Sequence, residues 1–268
     1  MAADRETSIR RGIEVLLSLG SDEAMREGGL GVTRISERLE REKSQVSRAL
    51  KALAEYGLVE RNRDALTYRL GWRIYALAGL AGRPRVVDEA GPRLRALAAE
   101  VQERAHLSVL QGPEVLTLLS ESPGRAVEAV GWVGRMTPAY CTSAGRALLM
   151  DHDRDELELL FAGVELHPLG PNAARDLDEL AARVQRAAQD GYALCDEEFE
   201  AGLFAVAAPV RDVSGAIVAA LNVSAPKFRV AGHVDQLVHA VRDRAAELTA
   251  ALCAGAADPD LVGVTVAE

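Results

Sequence analysis

The stretch VTRISERLEREKSQVSRALKALAEYGLVER, residues 32–61, decides how this chain is read. Ile35 and Leu39 stand four apart, the spacing of a short amphipathic helix. After the polar break Glu40-Arg41-Glu42, the apolar positions Val46, Ala49, Leu50 and Leu53 recur at threes and fours. Two short helices across a tight polar turn predict a helix-turn-helix, whose second helix fits a DNA major groove. Its outward face would show Lys43, Ser44, Gln45, Ser47, Arg48 and Lys51, with Arg34 on the helix before it. Such side chains hold phosphates and reach base edges.

Gly57 is placed to end the second helix in the left-handed conformation. A strand is expected from Leu58 to Arg61, a turn at Asn62-Arg63-Asp64, and a return strand in which Leu66, Tyr68 and Leu70 alternate with Thr67 and Arg69. This hairpin reads as a wing that brings Arg61, Arg63 and Arg69 near phosphates or the minor groove.

Charge is distributed to match. Residues 34–73 hold ten basic side chains against six acidic ones, a local +4, so the remainder carries −13 of the chain's −9. A basic module on an acidic body suits a DNA reader with a second function, and excludes a protein that coats nucleic acid over its whole surface. Mixed charge on a solvated helix face remains the bland alternative.

At 268 residues, 49% of them hydrophobic, the chain suits two packed domains rather than disorder. No apolar run approaches a membrane span, and the opening MAADRETSIRRG lacks a secretory apolar core, so a cytoplasmic protein is expected. Cys141, Cys195 and Cys253 are too few and too scattered for a disulfide framework or a zinc site, and no metal or cofactor is expected.

Outward from the helix-turn-helix, Ser8 is expected to cap a first helix with Ile9, Ile13, Leu16 and Leu17 as its apolar stripe. A polar insert spans residues 21–31. Residues 72–80 read as a connecting helix broken by Gly82-Arg83-Pro84, and a longer helix from about Val86 to Gln102 presents Leu94, Leu97, Ala98 and Val101. Strands are expected at 106–110, 115–119, 127–130, 203–210 and 216–223, the last two joined by a tight turn at 212–215. Helices should follow Thr142, fill 176–190 and close the domain at 234–252. Strands flanked by helices on a mostly antiparallel sheet give an α+β fold. The implied division is residues 1–71 for DNA, 72–85 as a linker helix, 86–254 as a second domain, and 255–268 as a tail.

These residues bring the chain to a known family. KSQVSRALKALAEYGLVERN with TYRLG, then TPAYCTSAGRALL, DGYALCDEEFEAGLFAVAAPV and GAIVAALNVSAP, resemble the IclR family of bacterial transcriptional regulators from about Ser8 to Leu252. The resemblance implies a winged helix-turn-helix joined by a helix to a GAF-like domain that takes a small organic effector, a carboxylate or an aromatic. It also implies a homodimer or dimer of dimers on palindromic double-stranded operators, as repressor more than activator. Transferred by position, the effector residues are Met136, Ala144, Gly145, Cys195, Leu203, Ala205, Asn222 and Ser224. Ala144 and Gly145 open a helix and could offer N–H groups to an anion, while Leu203 with Ala205, and Asn222 with Ser224, share strand faces. The same residues would equally suit a plain core. The chain departs from the family in the long 21–31 insert, in the charged turn 40–42, and in Cys195 where relatives place an acid. Ala205, Asn222 and Arg146 also stand where other residues are common.

Two rival classes remain at this point. A Cys-dependent enzyme would use Cys141 near a helix start, its thiol acidified, with His106, His152 or His167 as base, although no GxSxG, P-loop or HExxH occurs. A sensor acting through protein partners would keep the helix-turn-helix only as structure, against which stand Lys43, Arg48 and Lys51.

Overall fold

The computed structural model describes residues 2–62, 64–80, 85–124 and 131–254. Arg63, the Gly82-Arg83-Pro84 break, the strand expected at 127–130 and the tail at 255–268 lie outside these. The chain divides into two compact units, Met1–Arg83 and Pro84–Glu268.

The first unit runs α1 (Ala2–Leu19), α2 (Asp22–Glu27), β1 (Leu30–Gly31), α3 (Val32–Arg38), α4 (Lys43–Glu55), β2 (Val59–Asn62), β3 (Thr67–Leu70) and α5 (Trp72–Leu80). Its core is Val15, Leu19, Ala24, Leu30, Ile35, Val46, Leu50 and Val59. Leu50 is fully buried, and truncation to Ala at such a site costs about 2–5 kcal/mol. The tight turn between α3 and α4 is made by Glu40 at φ +50, while Ser36 Oγ donates to Arg41 O at 2.5 Å. Arg41 turns back onto Glu14 of α1 at 3.0 Å, which explains a charged side chain at that turn.

Helix α4 ends as its sequence requires. Gly57 takes φ +68, and Leu58 N donates to Leu53 O at 3.0 Å. Gly71 packs on this bend so closely that a Cβ there would lie 2.2 Å from Gly57 O. The hairpin pairs Glu60 with Arg69 and Arg61 with Tyr68, and β1 adds a third strand against β3.

Two expectations for this unit are corrected. Helix α1 begins at Ala2, so Ser8 lies inside it rather than capping it. Val15 and Leu19 form its buried face, whereas Ile9, Ile13 and Leu17 are exposed. The insert at 21–31 is itself ordered as α2 and β1, with Ser21 capping the helix and Gly28 ending it at φ +69.

The second unit runs α6 (Arg85–Val101), β4 (Arg104–Gln111), β5 (Glu114–Glu121), β6 (Met136–Pro138), a 3-10 turn (Ala139–Cys141), α7 (Ser143–Leu148), α8 (Arg154–Leu160), α9 (Leu177–Asp190), β7 (Ala193–Asp196), β8 (Leu203–Arg211), β9 (Ile217–Pro226), α10 (Lys227–Val230) and α11 (Val234–Ala254). The strands form one antiparallel sheet in the order β6-β5-β4-β9-β8-β7. The 211–217 turn closes as expected, Gly215 N donating to Asp212 O at 3.0 Å. Strands β6 and β7 and helix α8 were not anticipated.

Alternation along the strands makes two different sheet faces. Ala105, Leu107, Phe204, Val206, Leu221 and Val223 pack against α6 and α11 as one core. On the opposite face Ala193, Ala207 and Ala220 pack under α7 and α9. The rest of that opposite face is where the chain departs from a plain core.

Candidate functional site

In the first unit the exposed row of α4 comprises Lys43, Ser44, Ser47, Arg48 and Lys51, with Gln45 half-buried beside Val46. These positions recur at i, i+4 and i+8, which puts them on one side of the helix while Val46 and Leu50 anchor the other. Arg48 Nε donates to Ser44 O at 3.2 Å, so its guanidinium lies along its own helix. Arg61 is exposed on the hairpin, its guanidinium 5.7 Å from the centre of the Tyr68 ring. Arg69 is drawn to Glu60 at 2.9 Å. Arg34 lies apart from the α4 row in its bonding, since its Nε is held by Glu23 at 2.5 Å.

In the second unit, the far end of the sheet's second face opens into a cleft of about 570 Å³, its mouth included. The register explains its floor. His106 stands opposite Asn222, and Ala205 opposite Ser224, so His106, Ser108, Asn222, Ser224 and Ala205 all project from the same side. Trp132, the stretch from Cys141 to Ala144, and Glu198 with Phe199 enclose it. Of the eight residues expected to meet an effector, Ala144, Cys195, Leu203, Ala205, Asn222 and Ser224 line this cleft.

Two do not. Met136 pairs with Leu116, one residue out of step, so that its neighbour Thr137, opposite Val115, is the one that faces the cleft. Gly145 lies behind the wall. A Cβ there would meet Ala139 O at 2.2 Å, and its N–H is taken at 3.1 Å by Thr142 Oγ1 as the cap of α7. Its backbone is engaged in close packing and in the cap of α7.

Pattern reading also passed over residues. His106, weighed only as a base, is a wall residue, as are Ser108, Thr117, Thr137 and Trp132. The signal was the alternation in RAHLSVLQ, where polar His106 and Ser108 interleave with Ala105 and Leu107. Burial of a polar face on a central strand points to a lined cavity.

The electrostatics are largely settled within the protein. Glu198 is buried and bonded to both Arg146 and Arg183, the latter at 2.6 Å. Arg146 also donates to Leu194 O at 2.8 Å. Among the described residues no Lys or Arg side chain lines the cleft. Burial, with the charge of Arg104 adding to it, pushes His106 down to about 3, so the imidazole is neutral. Its Nε2 is 3.3 Å from Ser224 Oγ. Burial, reinforced by the charge of Glu198, pushes the Cys141 thiol up to about 12, and burial raises Cys195 as well. That is the reverse of an activated nucleophile, and overturns the expectation of an acidified Cys141. No group of ligating side chains suited to a metal occurs among the described residues, and none of their helices is long and apolar enough to cross a membrane.

A winged helix-turn-helix in the first unit and a lined cleft in an α+β second unit define a DNA-binding transcriptional regulator with an effector-binding C-terminal domain. Comparison with known proteins gives the particular group. Residues 8–63 match the IclR helix-turn-helix domain and residues 80–250 the bacterial transcriptional regulator IclR C-terminal domain. The Pca regulon regulatory protein of Pseudomonas putida is 32% identical over 230 residues, 85% of this chain and 77% of that protein. The HTH-type transcriptional regulator Rv1719 of Mycobacterium tuberculosis is 33% identical over 246 residues, 90% of this chain and 93% of its own length. Among solved structures, an IclR homolog from Microbacterium hydrocarbonoxydans complexed with 4-hydroxybenzoate superposes with a TM-score of 0.77 at 26% identity, covering 91% of this chain and 98% of that one. The chain belongs to the IclR family of bacterial transcriptional regulators, whose members are regulators and not enzymes.

Proposed function

We propose that the protein is a repressor that binds a palindromic operator as a homodimer and releases it on binding a small aromatic effector in the cleft. The observation that carries this is the cleft itself: a hydrogen-bonding floor under apolar walls, the usual form of a small-ligand site. The relative that holds 4-hydroxybenzoate supports a ligand of that size and shape.

DNA is read by Lys43, Ser44, Gln45, Ser47, Arg48 and Lys51, with Arg61 and Arg63 of the wing on the backbone. Arg34 adds to phosphate binding once released from Glu23. Two recognition helices of a dimer sit about one turn of DNA apart, roughly 34 Å. The surface for dimerisation is an apolar stripe of α1, with Ile9 66% and Leu17 71% exposed, together with Trp72 and Tyr75 of α5 at 74% and 76%. Large exposed apolar side chains of this kind mark a contact surface, and in this reading a second copy covers them. The effector acts by favouring one spacing of the recognition helices over the other, through α5.

The test is a filter-binding titration on selected operator DNA at two salt concentrations, with and without 4-hydroxybenzoate. Affinity should fall as salt rises, because counterions return to the phosphates, and fall again with the ligand. A protein that shows no preference for any selected fragment refutes the reading; tighter binding with ligand would make it an activator-type switch.

A further inference from the structure

We propose that His106 is the specificity-determining residue of the cleft, and that it reads a hydroxyl group on a small ring-shaped effector. This rests on the cleft being the effector site, and adds which chemical group is recognised there.

His106 is 3% exposed and forms part of the cleft wall. One nitrogen is provided for: Nε2 lies 3.3 Å from Ser224 Oγ. The other, Nδ1, is buried with no hydrogen-bond partner among the described residues. An unmet buried nitrogen is costly in a central strand, where almost every polar atom is paired. His106 lines the cleft, and we take its unmet nitrogen as the group that a ligand would pair.

The chemistry of that ligand follows from the ring's neutral state. The Ser224 hydroxyl can donate or accept, so Nε2 is satisfied in either tautomer. Nδ1 is left as a lone pair in one tautomer and an N–H in the other. A hydroxyl satisfies both, since it also donates and accepts. A carboxylate only accepts, so it fits one tautomer alone.

The rest of the wall fits a flat ring behind the hydroxyl. The Trp132 ring is 5.5 Å from the His106 ring and tilted by 58° to it, with Leu203 and Ala205 across the floor. Arg135 lies over Trp132, 4.6 Å from the centre of its ring.

The experiment is calorimetric titration of the full-length protein with two matched pairs, 4-hydroxybenzoate against benzoate and phenol against toluene. The wild type should prefer the hydroxylated member of each pair by roughly tenfold or more, as sites built to pair a hydroxyl do. His106→Phe, which keeps a flat ring, should remove the preference by weakening the hydroxylated member alone. His106→Gln should restore part of it. A wild type that binds both members equally, or an H106F protein that keeps the preference, overturns the assignment while leaving the cleft as effector site. If none of the four probes binds, the aromatic-effector reading falls, and this inference with it. Should H106F not fold, the wild-type pairs and H106Q still decide the matter.

Discussion

Glu23 and Arg34 are joined across the first unit, Oε1 to Nε at 2.5 Å, and the second oxygen of Glu23 reaches Arg38 at 3.2 Å. One carboxylate on the inserted helix α2 thus draws in two guanidinium groups of α3 that would otherwise face outward. The hydrogen bond from Arg34 holds the Glu23 carboxyl below its usual range. On the reading that Arg34 binds DNA, Glu23 takes the place of a phosphate.

Glu23→Gln should free both arginines for DNA. Affinity for random duplex should rise at low salt, and the slope of log affinity against log salt should steepen by about one to two phosphate contacts. A salt series by filter binding measures this, and an unchanged slope would mean that neither arginine reaches the backbone.

Arg48 is the most informative position of the exposed α4 row, with its guanidinium lying on its own helix ready to extend. Arg48→Ala should weaken binding to the selected operator by about 1–3 kcal/mol if it reads a base. Competition against random DNA separates the two roles: equal loss on both sequences marks a phosphate contact instead.

What the sequence disclosed depended on the range of the interactions involved. Helix α4 with Gly57 after it, the hairpin, and the paired strands β8 and β9 were legible because local periodicity and turn chemistry specify them. The short strands β6 and β7 carry only 3 and 4 residues, too few for a period, and exist because neighbours distant in the chain pair with them. The same limit governs the cleft. Leu203, Ala205, Asn222 and Ser224 were implied by the family resemblance and lie on one strand pair with a short turn, whereas His106 meets Ser224 across 118 positions. Met136, implied by the same resemblance, stands one residue from the cleft-lining Thr137, and in a strand one residue reverses the face. Ile9, Ile13 and Leu17 are apolar at helical spacing but exposed, so their pattern records a surface and not the unit's own core.

Gly145, which the family resemblance implied as a ligand contact, is closely packed against Ala139. Gly145→Ala would press a methyl group into Ala139, whose O and Cα lie 2.2 and 2.4 Å from the ideal Cβ. Backbone on both sides leaves little room to yield, so a loss of about 1–3 kcal/mol or more is expected. Thermal melting should show the drop without ligand present. If stability is unchanged and only the effector response disappears, Gly145 contacts the ligand after all.

Removing the side-chain amide of the floor tests the cleft directly. Asn222 is buried on β9 opposite His106, and Ser108 Oγ approaches its Oδ1 at 3.5 Å. Asn222→Leu fills polar space with a branched apolar group, and should abolish the effector response while operator affinity without ligand stays as in the wild type. A variant that responds normally would place the effector elsewhere.

His106 also predicts how stability varies with pH. Unfolded, its imidazole takes a proton near 6.5; folded, burial delays this to about 3. Between those values the unfolded chain binds more protons, so the contribution is whole above pH 6.5 and declines as pH falls, by about 1.4 kcal/mol per unit. The chain has two tryptophans, so a Trp72→Phe background leaves Trp132 to report on the second unit. In that background urea unfolding should lose about 2 kcal/mol from pH 6.5 to 5 through this residue, a loss that His106→Phe removes. Parallel profiles for the two proteins would mean that His106 is protonated inside the fold, and its neutral role in the cleft would be untenable.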